Sequence, residues 1–140
     1  MVDNTGNRKD SGAVMKTVLI VDDSRDYAEN MKFVLSRAGY EVVVAATGRE
    51  GELAAARIRP NLILMDLLMP DQDGVETVMR IRENPVLKDI PVLFLTSVTA
   101  SEDVVIPVKG KDYPGLSKLL DYPVIVNRVA DLLAAQADII

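Results

Sequence analysis

Four short, unbroken apolar runs, separated by segments of helical period, constrain the fold more than any other feature of this sequence. They are VLIV at 18–21, VVV at 42–44, LILM at 62–65 and VLFL at 92–95. Each run has the length of a strand, and its continuous apolar character indicates burial on both faces of a parallel sheet. Strands that alternate with helices predict a doubly wound α/β domain.

The segments between these runs carry helix signals. Apolar residues at i, i+3, i+4 and i+7 predict a first helix, and they are Met31, Val34, Leu35 and Ala38. Thr47 with Glu50, and Asp73 with Glu76, have the spacing of capping boxes and predict the starts of two further helices. A last helix is predicted from about Pro123.

Residues 98–117 interrupt this regular pattern. A β-branched run there is broken by Pro107 and followed by Gly110, Pro114 and Gly115, which disfavours a helix. A fifth strand is still needed to reach the last helix. The sequence therefore predicts a five-stranded doubly wound sheet with an irregular fourth crossover.

Length and charge limit the classes of function. The 140 residues suffice for one domain, which we place at 16–138 after a polar, flexible tail at 1–15. Sixteen basic and 21 acidic residues give a net charge of −5, and no basic cluster indicates direct nucleic-acid binding. No apolar stretch is long enough to span a membrane, so we expect a cytoplasmic protein. Its expected partners include a second copy of the chain, as a homodimer.

Histidine and cysteine are absent. Their absence excludes Ser-His-Asp catalysis, imidazole or thiolate metal sites and cysteine nucleophiles. Any chemistry must therefore depend on carboxylates, hydroxyls and lysines.

Polar side chains follow three of the predicted strands. Asp22 and Asp23 end the first run, Asp66 the third, and Thr96 with Ser97 the fourth. Ligands of open parallel sheets bind at the carboxyl ends of the strands, and carboxylates brought together there would repel one another unless a cation lay among them. Oxygen ligands alone favour Mg²⁺. Taken singly, each Asp could instead be a helix cap or loop residue.

Three segments in order, VLIVDDS, LILMDLLMPDQDG and VLFLTS, resemble the central motifs of bacterial response-regulator receiver domains. The resemblance covers residues 16 to about 97. It implies a flavodoxin-like fold similar to the chemotaxis receiver, with sheet order 2-1-3-4-5. It also implies a phosphoacceptor rather than an enzyme, which takes a phosphoryl group from a histidine kinase or phosphotransfer protein and switches a face that binds a downstream protein.

The resemblance also implies residue roles. Asp66 matches the phosphoacceptor, Asp22 and Asp23 the acidic pair that binds Mg²⁺, and Leu68 the residue whose backbone carbonyl contacts the metal. Thr96 matches the switch hydroxyl. The residues that match those shaping the loop after the acceptor are Pro70 and Gly74.

The lysine of the family, usually followed by proline, has no direct counterpart because Lys-Pro does not occur. Ungapped alignment of the last helix selects Lys118, with Leu119 in place of the proline. Lys109 and Lys111 are rivals if the fourth helix is missing and residues 104–108 form the fifth strand. For the aromatic switch residue the nearest candidate is Tyr113, two residues out of register, for which core packing is the alternative.

Other functions compete with this interpretation. A degenerate receiver would bind partners without being phosphorylated. A Mg²⁺-dependent phosphohydrolase commonly has a second Asp where Leu68 stands, and a flavodoxin-like cofactor carrier would not suit the acidic, glycine-free loop DDSRD. No output domain is expected after the last helix, which predicts a single-domain regulator or a fragment of a longer protein.

Overall fold

The structure is a computed structural model that describes residues 15–98 and 103–137. Apart from Met15, the predicted tail lies outside the described residues, as do 99–102 of the irregular segment and residue 138. The strands are β1 (Thr17–Val21), β2 (Glu41–Ala45), β3 (Leu62–Asp66), β4 (Val92–Thr96), β5 (Val104–Val108) and β6 (Lys111–Ser117). The helices are α1 (Arg25–Arg37), α2 (Gly48–Ile58), α3 (Gly74–Arg82) and α4 (Tyr122–Ala137), with one 3₁₀ turn at Pro85–Leu87.

The sheet confirms the predicted doubly wound fold and corrects its strand count. Its order in the described residues is β2-β1-β3-β4-β6-β5, with parallel pairing from β2 through β6. The parallel part therefore has the expected order 2-1-3-4-5, with β6 in fifth position. The prediction of five strands was wrong, because β5 adds a sixth, antiparallel strand at the edge.

A β-hairpin replaces a helix in the fourth crossover. Lys109 and Gly110, which join β5 to β6, have φ values of 49° and 80°. Two successive residues with positive φ are typical of the tight turn that suits the twist of a hairpin. Pro107 is tolerated because β5 is an edge strand, where a missing N–H breaks no central ladder. The β-branched run VVIPV therefore forms a strand.

Helix capping agrees with the predicted starts of α2 and α3, and Ser24, for which no prediction was made, caps α1 in the same way. The side chains of Ser24, Thr47 and Asp73 each accept a hydrogen bond from the backbone N–H three residues later, at 3.4, 3.0 and 2.8 Å. These bonds satisfy donors that the first turn of a helix otherwise leaves unpaired. α4 begins one residue before Pro123, close to its predicted start.

Two apolar layers enclose the sheet. β1 shows why, since Leu19 and Val21 pack on the layer covered by α2 and α3, whereas Val18 and Ile20 pack on the layer covered by α1 and α4. β3 and β4 are buried along their whole length. With both faces covered, the carboxyl edge of the sheet is where polar side chains can collect. Within the described residues, we find no helix that is both sufficiently long and sufficiently apolar to cross a membrane.

Candidate functional site

Parallel pairing of β1 with β3 brings the acidic residues together. Val21 is in register with Met65, so the next residues, Asp22 and Asp66, stand side by side at the carboxyl ends of the two strands. One carboxylate oxygen from each of Asp22, Asp23 and Asp66 lies within 4.8 Å of the others. Residues more than forty positions apart in the chain therefore form a single acidic cluster.

Burial makes this cluster electrostatically costly. Asp22 and Asp66 are 2% and 6% exposed, whereas Asp23 is exposed. Burial, followed by the charge of Asp22, raises the pKa of Asp66 from its ordinary 3.8 to about 7, and Lys118 opposes this rise. Carboxylates this close together need positive charge beside them in order to be ionised at the same time.

Lys118 supplies part of that positive charge. Its Nζ lies 2.6 Å from Asp22 Oδ2 and 3.3 Å from Asp66 Oδ1. Its backbone N–H donates to the Thr96 carbonyl at 2.8 Å, which extends the β4–β6 pairing past the strand ends and fixes the lysine at the same edge. The structure thus brings the predicted lysine into the pocket.

The rival lysines lie elsewhere. Residues 104–108 do form a strand, as the rival alignment required, but Lys109 and Lys111 are exposed at the hairpin turn. β6 runs parallel to β4, so its first residue, Lys111, lies at the opposite edge of the sheet from Asp66. Neither lysine reaches the acidic cluster.

One oxygen of the cluster lacks a hydrogen bond. Asp22 Oδ1 accepts from the Ser24 N–H at 2.8 Å. Asp22 Oδ2 is buried and, although it is paired with Lys118, has no partner in hydrogen-bonding geometry among the described residues. Its ion pair with Lys118 offsets the charge of this oxygen, and a buried carboxylate oxygen within an acidic cluster fits the role of a ligand to a hard divalent cation.

The hydroxyl and the loop residues lie around the cluster. Thr96 ends β4, is 2% exposed, and accepts a hydrogen bond at Oγ1 from the Val98 N–H at 3.2 Å. Leu68 is two residues beyond Asp66 with its side chain exposed, and Pro70 is exposed farther along the loop. The Gly74 N–H donates to the Leu67 carbonyl at 2.8 Å, which closes the loop that follows β3.

Asp71 attaches this loop to α2. Its carboxylate accepts from the backbone N–H groups of Gly48 at 3.1 Å and Arg49 at 3.2 Å, at the start of that helix. A carboxylate is favourable there because the N-terminus of a helix carries partial positive charge. The loop after Asp66 is thus held by the Gly74–Leu67 hydrogen bond and by the contacts of Asp71 with α2.

Tyr113 packs in the core, which is the alternative that the sequence left open. It is 5% exposed, meets the Phe94 ring edge to face at 6.0 Å, and accepts a hydrogen bond from Arg82 Nε at 2.9 Å. The alignment on Lys118 places the aromatic residue two positions after Tyr113, at Gly115, where an added Cβ would meet Ile106 and Val104 of the edge strand. The hairpin therefore occupies the space beside this position.

Tyr27 belongs to the site and was not predicted. Its ring centroid lies 4.7 Å from Lys118 Nζ, and its buried hydroxyl has no hydrogen-bond partner among the described residues. It lies in the first turn of α1, four residues after Asp23. Its position near the carboxyl end of β1 could have suggested that it lies near the site. The contact with Lys118 could not be predicted in this way, because the lysine is distant in sequence.

Fold and acidic site together define a phosphoacceptor-type receiver architecture, and comparison with known proteins agrees with that class. The response regulator receiver domain family matches residues 18–130. The chain belongs to this family.

Individual relatives are consistent with this assignment. The chain is 33% identical over 119 residues to the DNA-binding dual master transcriptional regulator RpaA of Synechocystis, covering 85% of this chain and 49% of RpaA. It thus spans about half the length of that relative.

Solved structures also support the assignment to the receiver family. Chemotaxis protein CheY4 of Vibrio cholerae is 31% identical, with a TM-score of 0.73 over 84% of this chain and 98% of CheY4. The N-terminal domain of a response regulator/sensory box/GGDEF 3-domain protein from Carboxydothermus hydrogenoformans is 30% identical, with a TM-score of 0.74 over 89% and 100% of the two chains.

Proposed function

We propose that this chain is a functional receiver, with its domain at 16–138, in which Asp66 accepts a phosphoryl group from a histidine kinase or phosphotransfer protein. The observation that carries this proposal is the position of Asp66, buried 3.3 Å from Lys118 and clustered with Asp22 and Asp23. Phosphoryl transfer needs an in-line nucleophile and positive charge around the transferring group, and this site provides for both.

Mg²⁺ fits the chemistry of the cluster. Asp22, Asp23, Asp66 and the backbone carbonyl of Leu68 would hold it, and the buried Asp22 oxygen without a hydrogen bond supports the assignment. A bound Mg²⁺ supplies positive charge that offsets the phosphoryl oxygens.

The residues of the chain then perform the transfer. A carboxylate oxygen of Asp66 attacks phosphorus, the new P–O bond forms as the P–N bond to the histidine breaks, and the electron pair of that bond goes to the imidazole nitrogen. Asp66 must be ionised to attack, so the nearby ammonium of Lys118 favours the reactive form.

The response to phosphorylation starts at Thr96. The acyl phosphate adds negative charge beside the end of β4, and the Thr96 hydroxyl would move to donate to a phosphoryl oxygen, leaving its present partner, the Val98 N–H. In this chain Gly115 and the β5–β6 hairpin lie beside that strand end, where the family uses an aromatic side chain and a helix. The face that meets the downstream protein would therefore be built on the hairpin.

The chemistry of the site favours this function over the alternatives. Leu68 stands where a phosphohydrolase of this type would have its second Asp, and the intact acidic cluster with its lysine is not needed by a receiver that only binds partners. The relative RpaA is named as DNA-binding, whereas the net charge of −5 of this chain favours a protein target.

Acetyl phosphate tests the proposal. With Mg²⁺, intact-mass measurement should show one phosphoryl group on the wild type and on Asp131→Asn, an exposed control carboxylate on α4. Asp66→Asn should show none, and chelation of Mg²⁺ should abolish incorporation in every variant. Phosphoryl incorporation that survives in Asp66→Asn would refute the acceptor assignment.

A further inference from the structure

Three groups surround the Lys118 ammonium. Two of them are the carboxylates of Asp22 and Asp66, and the third is the face of the Tyr27 ring, 4.7 Å away. A ring face carries partial negative charge and attracts a cation, more strongly where water is excluded. Only 12% of the Lys118 side chain is exposed, so this contact is largely shielded from water.

Tyr27 is anchored through its backbone and packed through its ring. Its backbone N–H donates to Ser24 Oγ at 3.4 Å, and the Ser24 N–H donates to Asp22 at 2.8 Å, so the first turn of α1 is tied to the acidic cluster. On the other side, the Tyr122 ring of α4 lies 6.1 Å from the Tyr27 ring, inclined at 43°. The ring therefore lies between its own helix and Tyr122 of α4, and it forms one wall beside the Lys118 ammonium.

The phenol hydroxyl contributes no hydrogen bond to this arrangement. It is buried and has no hydrogen-bond partner among the described residues. Phenylalanine would keep the ring face without that oxygen, whereas an aliphatic side chain would remove the face.

We propose that Tyr27 is a positioning residue whose ring face holds the Lys118 ammonium between Asp22 and Asp66, where it can meet the phosphoryl group. Without the ring, the ammonium keeps its closer partner Asp22 and loses the wall that keeps it within reach of Asp66. The lysine side chain is flexible, so loss of the Tyr27 ring would let Lys118 adopt other rotamers. The effect on phosphorylation rests on the function proposed above.

The test compares Tyr27→Phe, which keeps the ring, with Tyr27→Met, which replaces it by an apolar chain of similar length. The matched control is Phe33→Met on the same helix. The Phe33 ring is exposed and lies 5.6 Å from the guanidinium carbon of Arg37, so it makes the same kind of contact with a cation that is not Lys118. Two quantities are measured. They are the rate of phosphoryl incorporation from acetyl phosphate with Mg²⁺, and the NMR order parameter of the Lys118 ammonium, assigned with Lys118→Arg.

We expect Tyr27→Met to slow incorporation by about 2- to 30-fold, the range for loss of a partly buried cation–ring contact, and to lower the Lys118 order parameter. Tyr27→Phe and Phe33→Met should stay within about twofold of wild type, with Lys118 as ordered as before. If Tyr27→Met does not fold, Tyr27→Leu takes its place.

Two results would overturn the proposal. One is an unchanged Lys118 order parameter in Tyr27→Met, which would make the tyrosine a packing residue of α1 only. The other is equal slowing in Tyr27→Phe and Tyr27→Met, which would assign the role to the hydroxyl. If the wild type takes up no phosphoryl group, the proposed function fails, and the order parameters alone still decide whether Tyr27 holds Lys118.

Discussion

Lys118 Nζ lies 2.6 Å from Asp22 Oδ2, an ion pair between the residue that follows β6 and the residue that follows β1. In the sheet, β3 and β4 lie between β1 and β6. The ion pair therefore extends across the carboxyl ends of these two strands. It passes Asp66 on the way, at 3.3 Å. One ammonium is thus shared between a proposed metal ligand and the proposed acceptor.

Removal of this ammonium should cost stability in the absence of Mg²⁺. Lys118→Met leaves a buried carboxylate without its cation, and we expect the free energy of unfolding in chelator to fall by about 3–5 kcal/mol. Mg²⁺ should restore part of the loss, since a bound cation would neutralise the same carboxylates. Urea denaturation with and without Mg²⁺ measures both effects.

Lys109→Met is the control for this change, because Lys109 is exposed at the hairpin turn and should contribute less than about 0.5 kcal/mol. Equal losses of stability for the two variants would show that the Lys118 ion pair does not stabilise the fold.

Gly74→Ala should distort the loop that follows Asp66, the proposed acceptor. A Cβ at Gly74 would overlap the backbone carbonyl oxygen of Asp66 and lie 3.1 Å from the Leu67 Cα. Since backbone atoms cannot rotate away as a side chain can, we expect a loss of about 1–3 kcal/mol in unfolding free energy together with slower phosphoryl incorporation. Urea denaturation and the acetyl phosphate assay measure the two effects.

Gly115→Ala provides the comparison, because its added Cβ would meet its nearest atoms, on Ile106 and Val104, at 3.4 Å and 3.5 Å. These are ordinary contacts, so we expect a change below about 1 kcal/mol and normal phosphorylation. A Gly74→Ala variant that behaves like Gly115→Ala would argue against the close packing of the loop on Asp66.

Stability without Mg²⁺ should fall as the pH rises from about 4 to about 7. Burial and the neighbouring Asp22 raise the pKa of Asp66 in the folded state from its ordinary 3.8 to about 7. In this window the folded protein keeps a proton that the unfolded chain has released. The contribution is therefore complete below the ordinary pKa and is lost as the pH passes the folded one.

Thermal or urea unfolding in chelator, at a series of pH values, measures this slope. Asp66→Asn should flatten the part due to this carboxyl group, and Mg²⁺ should oppose the decline because it binds the ionised form. A wild-type slope equal to that of Asp66→Asn would contradict a raised pKa.

The regular part of this fold could be predicted from the sequence because its signals are local. The apolar runs that became β1 to β4 and the caps at Thr47 and Asp73 each depend on a few neighbouring residues. The acidic residues at the strand ends could be predicted for the same reason, since a parallel sheet brings the carboxyl ends of its strands to one edge.

The tertiary structure alone decided what residues 103–117 become, and it decided between Lys118, which the alignment selected, and its rivals Lys109 and Lys111. Whether VVIPV pairs as an edge strand depends on a turn at Lys109 and Gly110 and on the partner strand β6, which must also pair with β4. Lys118 and Tyr27 meet only because these pairings and the packing of α1 place them together. Such contacts join residues about ninety positions apart, and no local pattern of the chain encodes them.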